Sequence, residues 1–267
     1  LGSAVQQRMI ADVPLGCFLS GGIDSSLICA LMQQASDQAV TSFTIAFGDP
    51  AYNEAPRARD VAQHLGTQHT EIQVAPEDAL ALMTRLPAIY DEPFGDPSVI
   101  PSYYLCRMAR KHMTVALSGD GGDEAFGGYG WYRRAGRIAR IPVALRQVMA
   151  AVLKKTCRDP RLQKLATILA ARSTRAIYTA LHSYWQLVAH SMWQGHDRLP
   201  ELPVDALDRA LADRSQQDKL MAYDVLMFLA GDVLTKMDRA SMAHSLEVRS
   251  PFLDPACMAF AWTLPPA

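Results

Sequence analysis

The chain contains a short apolar segment that stops at two glycines and restarts at once as a helix, and this stretch constrains its fold more than any other. It extends from Leu15 to Ser26, with the glycines at positions 21 and 22. Residues 15–19 show no helical period, which is typical of a strand buried in a parallel sheet. The glycines let the backbone turn tightly, and the helix that follows presents N–H groups without partners. The stretch therefore predicts an anion-binding turn at the end of a strand.

Polar side chains surround this predicted turn. Ser20, Ser25 and Ser26 can add hydroxyl donors to an anion, whereas Asp24 is an acid at the place where the anion would lie. Asp24 then either caps the helix or binds a cation that accompanies the anion. A Walker phosphate loop is excluded because no lysine follows the second glycine. A capped turn without a ligand is the alternative interpretation of the glycine pair.

Strand and helix patterns alternate in the first half of the chain, and from Tyr129 onward the pattern is almost wholly helical. After the first strand, further strands are expected at 39–47, 70–74 and 113–117, and helices at about 54–65, 76–86 and 98–111. This alternation predicts an α/β fold with a parallel sheet and a helical C-terminal part. We expect an α/β core over residues 1–130 and a helical portion over 131–267. Ligands of such sheets bind beyond the carboxyl ends of the strands.

A second glycine-rich loop follows the fourth predicted strand. Residues 118–124 hold three glycines and three carboxylates, Asp120, Asp123 and Glu124, in an order that does not fit a calcium loop. An exposed acidic turn is the alternative. Two carboxylates ~4 Å apart repel by about 4 kcal/mol at an effective dielectric near 20, so acids from both loops can share a cleft with a polyphosphate only around a cation. We therefore expect Mg²⁺ there, with Asp24 and Asp123 as its protein ligands.

Composition argues against two classes of partner. The chain has 26 basic and 27 acidic residues, a net charge of −1, which predicts no bulk attraction to nucleic acid or to a membrane surface. No apolar run approaches the ~20 residues of a membrane span. Cys17 and Cys29 lie in apolar segments, as expected for buried thiols in a reducing, cytoplasmic compartment. Because Leu1 opens the chain inside a helical pattern, we expect this sequence to be part of a longer protein.

Three motifs, in order, resemble the glutamine-dependent asparagine synthetases. The first loop, Ser-Gly-Gly-Ile-Asp-Ser over residues 20–25, is similar to the pyrophosphate-binding loop of the ATP pyrophosphatase superfamily. The segment from Ser118 to Tyr129 looks like a second signature of the family, and the segment from Asp232 to Asp254 looks like a third. The resemblance covers nearly the whole chain. It implies a Rossmann-like parallel sheet of the adenine-nucleotide α-hydrolase type.

The resemblance also implies a ligand and a reaction. ATP would lie across the carboxyl edge of the sheet, and the α-phosphorus would be attacked by the aspartate β-carboxylate, with ammonia then displacing AMP to give asparagine. The implied ATP-binding residues are Phe18, Leu19, Ser20, Gly21, Gly22, Asp24, Ser25, Ile45, Ser118 and Gly119. Asp120 and Asp123 would face the substrate and the metal as catalytic residues. Either Asp120 or Glu247 could accept the proton of the attacking ammonia, and the alternative for Glu247 is an ion pair with Arg249.

The polar loop over residues 90–98 is placed to line the acceptor pocket, and from order and composition we expect Asp96 and Ser98 to do so. In the family, ammonia comes from a glutaminase whose nucleophile is a cysteine at the mature amino terminus. The first cysteine here is Cys17, inside a strand, so we expect this chain to lack the glutaminase. The family's pyrophosphate-binding lysine is likewise expected outside this chain. Aspartate and ammonia are the expected small-molecule substrates, and the resemblance allows a homodimer.

Other functions stay open. β-Lactam synthetases and peptide- or sugar-modifying amidotransferases reuse the adenylation step on other carboxylates. tRNA-modifying ATP pyrophosphatases share the first loop, and four arginines between residues 133 and 140 could bind RNA, although a solvated helix face is favoured for such a run. A nucleotide-binding module without catalysis is a third alternative, against which the acids of the second loop argue.

Overall fold

The computed structural model describes residues 1–50, 52–182 and 203–265, and in it the chain forms two compact units. The first unit contains residues 1–126 and 229–264, and the second contains the described residues between 127 and 228 together with Pro265. The chain thus passes through the second unit and returns to the first with residues 229–264. The domains expected at 1–130 and 131–267 stay a prediction.

The first unit is built on a five-stranded sheet in which every neighbouring pair is parallel. The spatial order is β3-β2-β1-β4-β5. In chain order the strands are β1 (Leu15–Phe18), β2 (Thr41–Ala46), β3 (Gln68–Gln73), β4 (Val115–Leu117) and β5 (Glu247–Arg249). The predicted α/β class and parallel sheet are confirmed. The first four strands were expected, whereas β5 was not, because its three residues lie in a region with helical periodicity.

Helices connect these strands and form the regular structure of the second unit's described residues. In the first half of the chain they are α1 (Gly2–Arg8), α2 (Ile23–Gln34), α3 (Ala55–Leu65), α4 (Pro76–Met83), α5 (Leu86–Tyr90), α6 (Val99–Ala109) and α7 (Gly122–Phe126). Then follow α8 (Gly130–Ala139), α9 (Val143–Thr156), α10 (Pro160–Ala170), α11 (Thr174–His182), α12 (Pro203–Ala210) and α13 (Gln216–Tyr223). A π-helix (Asp224–Leu234), α14 (Thr235–Met242), a 3₁₀ turn (Pro251–Leu253) and α15 (Pro255–Ala261) complete the chain.

The central strands β1 and β4 bury side chains on both faces, which explains their continuous apolar runs. Cys17 and Leu19 pack with Ile28 of α2 on one face. Phe18 points to the other face, where it packs with Phe43 and with residues of α6 and α14. Helices therefore cover both sides of the sheet, and the edge formed by the strand ends stays available for loops.

The strand order reverses at β1, which lies between β2 and β4. Cys17 is paired with Ser42 on one side and with Leu117 on the other. In open parallel sheets, ligands bind beyond the carboxyl ends of the strands at such a switch point. The loops that follow β1 and β4 are the two glycine-rich loops of the sequence, so the topology places them side by side.

The second unit has a polar centre among aromatic rings. The carboxylate of Asp224 is fully buried and accepts hydrogen bonds from Trp131 Nε1 at 3.0 Å and from the Tyr132 hydroxyl at 2.6 Å. The four arginines of the basic run, Arg133, Arg134, Arg137 and Arg140, are exposed on and just after α8. None of the helices in the described ranges is long and apolar enough to cross a membrane.

Candidate functional site

The two glycine-rich loops touch through their glycines. A Cβ added to Gly122 would lie 2.5 Å from Asp24 Cγ, and one added to Gly119 would lie 2.8 Å from the backbone nitrogen of Ser25. Heavy atoms do not approach a real Cβ that closely, so a side chain at Gly119 would meet backbone, and one at Gly122 would require the Asp24 side chain to move. Asp24 and Ser25 of the first loop therefore lie directly against the backbone of the second, so the two loops meet at this edge of the sheet.

A left-handed glycine and contacts between serine hydroxyls fix the conformation of the first loop. Gly21 has φ +75°, and a Cβ there would lie 2.7 Å from the backbone nitrogen of Ala58 in α3. Ser25 Oγ accepts the Ser20 N–H at 3.1 Å and lies 2.9 Å from Ser20 Oγ. The helix N-cap is Gly22, which makes no side-chain capping bond. Because Asp24 lies inside the first turn and does not cap it, the structure favours a ligand role for its carboxylate.

Asp24 and Asp123 form a pair of partly buried carboxylates. Burial, followed by the charge of Asp123, raises the pKa of Asp24 to about 6, and burial raises the pKa of Asp123 as well. Both shifts mean that ionising the pair costs energy as long as no cation lies near it. Two carboxylates are the number that Mg²⁺ commonly takes from a protein when phosphate oxygens and waters complete its octahedron. The pair fits that ion.

No group of three or more histidine, cysteine, aspartate or glutamate side chains is arranged to hold a metal in the part of the chain that the structure describes. A cation at Asp24 and Asp123 would therefore depend on oxygens from a ligand. This is the behaviour expected of a metal that arrives with a polyphosphate, in contrast to a metal held permanently by the protein.

The second loop begins with a buried network. Ser118 is 2% exposed; its hydroxyl donates to Asp120 Oδ2 at 2.9 Å and so accepts from Ser250 Oγ at 3.0 Å. Burial raises the pKa of Asp120, against which the Ser118 hydrogen bond and the charge of Lys236 act. Asp120 is therefore an acid whose affinity for a proton is above that of an ordinary aspartate.

An apolar cavity of about 220 Å³ opens beyond the ends of β1 and β2. Four of the expected ATP-binding residues line it: Phe18, Leu19, Ser20 and Ile45. Pro101 and Leu105 of α6 form another part of the wall, and neither was expected from the sequence. These two residues line the cavity because of how α6 packs against the sheet, and no local sequence pattern predicts that packing. The cavity adjoins the first loop through Ser20 and has the character of a site for a flat, apolar ring.

Asp96 and Ser98 bond to each other instead of standing apart in a pocket. Asp96 Oδ1 accepts the Ser98 N–H at 2.8 Å, and Oδ2 accepts the Ser98 hydroxyl at 2.7 Å and the Lys236 ammonium at 2.7 Å. Burial, with the charge and hydrogen bond of Asp96, raises the pKa of Asp232 to about 6. Lys236 and Asp232 were missed as site residues, although both lie in the third motif.

Glu247 is not brought to this edge of the sheet. It is the first residue of β5 and is paired with Val115, the first residue of β4, so it lies at the amino end of the strands. Its carboxylate accepts from Arg249 Nε at 2.7 Å, and its side chain is 57% exposed. Arg249 also donates to the backbone oxygens of Arg8 and Ile10. The geometry matches the ion-pair alternative for Glu247.

The comparisons with known proteins agree with the motifs. The model of the asparagine synthase family matches residues 1–267. A Mycobacterium tuberculosis protein named as an asparagine synthetase (glutamine-hydrolyzing) is 33% identical over 99% of this chain and 41% of its own length. Asparagine synthetase (glutamine-hydrolyzing) 1 of Bacillus subtilis (strain 168) is 32% identical over 98% of this chain and 42% of its own length. The chain thus spans less than half the length of these curated relatives.

Proposed function

This chain belongs to the asparagine synthase family, and we propose that it forms the ATP-dependent, amide-forming ligase part of a longer protein. The observation that carries the proposal is the contact between the two loops. Asp24 of the first loop lies against Gly122 of the second and near Asp123, and Ser20 of the same loop lines the apolar cavity. This arrangement fits a magnesium-bound polyphosphate joined to a flat ring.

We infer that the cavity formed by Phe18, Leu19 and Ile45 takes the adenine of ATP. The N–H groups at the start of α2, together with Ser20, Gly21, Gly22 and Ser25, would bind the pyrophosphate portion. Ser118 and Gly119 would lie near the ribose or the α-phosphate. Asp24 and Asp123 would hold Mg²⁺, which supplies charge neutralisation of the phosphates and polarisation of the α-phosphorus when it is bound.

The proposed reaction has two steps. An oxygen of the aspartate β-carboxylate attacks the α-phosphorus, and the bond between the α-phosphorus and the bridging oxygen to the β-phosphate breaks, so that pyrophosphate leaves and β-aspartyl-adenylate forms. Ammonia then attacks the acyl carbon, and the bond to the AMP oxygen breaks. The chain's contribution to both steps is positioning and charge stabilisation.

Asp120 is the proposed acceptor of the proton that the attacking ammonia loses. Its buried carboxylate has a raised pKa and is held by Ser118 in the loop that faces Asp24. Glu247 lies at the opposite end of the strands, so we assign the proton transfer to Asp120. Positioned bases of this kind contribute roughly 10²- to 10⁴-fold to a rate.

The proposal is tested by ATP–pyrophosphate exchange in the full-length protein, with a panel of carboxylic acids. We expect exchange that depends on Mg²⁺ and on aspartate and that is lost in Asp123→Asn. The exposed Asp37 provides a matched control, because Asp37→Asn changes the same group far from both loops. Exchange with another acid and none with aspartate would show that the chain is instead a related adenylating ligase with a different substrate. Absence of exchange with every acid would refute adenylation.

A further inference from the structure

Lys236 is the first residue of interest, because it lies among carboxylates and is itself largely enclosed. Its side chain is 16% exposed, and its ammonium donates to Asp96 Oδ2 at 2.7 Å. Its charge also opposes the raised pKa of Asp120, so the ammonium lies within electrostatic reach of the second loop. An ammonium carries three N–H donors, and Asp96 is its acceptor among the described residues. Two donors are therefore available to a ligand.

In Asp96, by contrast, most acceptor positions of the carboxylate are already used within the protein. Its two oxygens accept from the Ser98 N–H, the Ser98 hydroxyl and Lys236. The charge of Asp96 also helps to raise the pKa of Asp232, so the two carboxylates lie near each other. These three bonds take up most of the roughly four acceptor positions of a carboxylate, so Asp96 serves to orient the Lys236 ammonium. A direct contact between Asp96 and the acceptor is a prediction from the sequence, whereas the bonds of Asp96 support a contact through Lys236.

The backbone around Lys236 is also unusual. Lys236 is the second residue of α14, which continues directly from the π-helix that contains Asp232. π-Helical turns occur frequently at functional sites. The Tyr90 hydroxyl donates to the backbone oxygen of Lys236 at 3.2 Å, which fixes this turn against α5. Lys236 is thus supported by the side chain of Asp96 and by the hydroxyl of Tyr90.

The acidic surroundings of Lys236 indicate what its charge could bind. The first unit already brings Asp24, Asp120 and Asp123 to the two loops, with Asp96 and Asp232 beside Lys236. An acid substrate that enters such surroundings is repelled unless a cation meets it. Mg²⁺ at Asp24 and Asp123 would serve the phosphates, so a carboxylate that does not react needs a different positive group.

We propose that Lys236 binds the non-reacting carboxylate of the acceptor and thereby selects acids that carry two carboxylates. One carboxylate is then free to attack the α-phosphorus, while the other is held by the ammonium. Asp96 is a positioning residue that acts through Lys236. The inference rests on the proposed adenylation and adds to it a residue that determines specificity.

The test removes the same interaction from the substrate and from the protein. β-Alanine is aspartate without its α-carboxylate, so the unsubstituted full-length protein should prefer aspartate over β-alanine in ATP–pyrophosphate exchange, by kcat/KM, roughly 100-fold or more. Lys236→Gln should raise the KM for aspartate at least about tenfold and reduce that preference to within about threefold. The Kd of Mg–ATP should change less than about twofold, because the ammonium serves the acceptor and not the nucleotide.

Three controls make the outcome decisive. Lys155→Gln removes an exposed lysine of α9 and should leave the preference for aspartate intact. Lys236→Arg keeps the charge and should retain most of the preference. Mg–ATP binding, measured by calorimetry, reports whether each variant is folded, and the comparison of aspartate with β-alanine in the unsubstituted protein does not depend on any variant.

The two failures are distinguishable. Equal exchange with aspartate and β-alanine in the unsubstituted protein, or an unchanged preference in Lys236→Gln, overturns the role of Lys236 and leaves adenylation standing. Loss of the preference in Lys236→Arg to the same extent as in Lys236→Gln also overturns it. No exchange with any acid in the unsubstituted protein overturns the proposed function, and the inference falls with it.

Discussion

Asp24 lies so close to Gly122 that a Cβ added to Gly122 would be 2.5 Å from the Asp24 Cγ. The two residues belong to loops that follow different strands, β1 and β4, which are neighbours in the sheet. Their contact joins the anion-binding turn to the acidic loop. It also places the Asp24 carboxylate beside Asp123, whose charge contributes to the raised pKa of Asp24.

Gly122→Ala should therefore impair ligand binding more than it impairs folding. The added methyl group meets the end of the Asp24 side chain, which can rotate away at small cost but then leaves its position beside Asp123. We expect Mg–ATP to bind at least about tenfold more weakly, which corresponds to about 1.4 kcal/mol. Calorimetric titration measures this, with Gly48→Ala as control because that position faces open space. Equal effects of the two changes would contradict the prediction.

Asp24→Asn should stabilise the protein at alkaline pH when metal and nucleotide are absent. The pKa of Asp24 is about 6 when folded, above its ordinary value of 3.8, so the folded chain binds the proton more tightly than the unfolded chain. The stability that this proton contributes is complete below pH ~3.8 and is lost as the pH rises through ~6. An asparagine stays neutral at every pH, so the variant should gain on the order of 1 kcal/mol at pH 8, allowing for solvent screening of a half-exposed group.

The measurement for Asp24→Asn is the Tm of variant and parent in EDTA between pH 4 and pH 8. The gap in Tm should be largest at pH 8 and should close towards pH 4. The exposed Asp37 serves as control, since Asp37→Asn should show no such trend. A gap that widens on acidification would show that the sign is wrong.

Gly21→Ala should cost more stability than Gly66→Ala, although both glycines have a positive φ. Gly21 has φ +75° and Gly66 has φ +73°, but a Cβ at Gly66 meets open space, whereas one at Gly21 lies 2.7 Å from the Ala58 backbone. The left-handed conformation costs about 1–2 kcal/mol in both variants, and the clash adds roughly 1–3 kcal/mol at Gly21 alone. Urea denaturation should resolve the two, and equal midpoints would count against the packing of the first loop on α3.

Leu105→Trp should weaken the binding of ATP and spare that of pyrophosphate. Leu105 lines the apolar cavity of about 220 Å³, whereas the first loop lies at its rim. A larger side chain fills the space proposed for adenine without altering the N–H groups at the start of α2. We expect the Kd for Mg–ATP to rise by about tenfold or more and that for Mg–pyrophosphate to change by less than about twofold. Similar losses for both ligands would place adenine elsewhere.

Asp120→Asn and Glu247→Gln separate the two acids that the sequence offers as proton acceptor. Asp120→Asn should lower the rate of amide formation by roughly 10²- to 10⁴-fold, the contribution of a positioned base. Glu247 is an exposed partner of Arg249, so Glu247→Gln should change stability by about 0–1 kcal/mol and leave that rate in place. Single-turnover amide formation from added ammonia measures both. A loss confined to Glu247→Gln would reverse the assignment.

The order of motifs along the chain was sufficient to predict the class of fold and the meeting of the two loops. Strands of a parallel sheet all run in one direction, so the loops that follow β1 and β4 both lie at the carboxyl edge of the sheet. The positions of the two loops follow in this way, whereas the assignment of residues 18–25 and 118–123 to ATP came from the family resemblance and stays a prediction.

Only the tertiary structure decided the rest. β5 is three residues long and has no pattern of its own, yet its register shows that Glu247 lies at the opposite end of the strands from the two loops. The bond between Asp96 and Lys236 likewise joins segments that are far apart in sequence. A local pattern determines where a strand ends and which backbone groups are exposed there, but packing between distant elements determines which side chains meet.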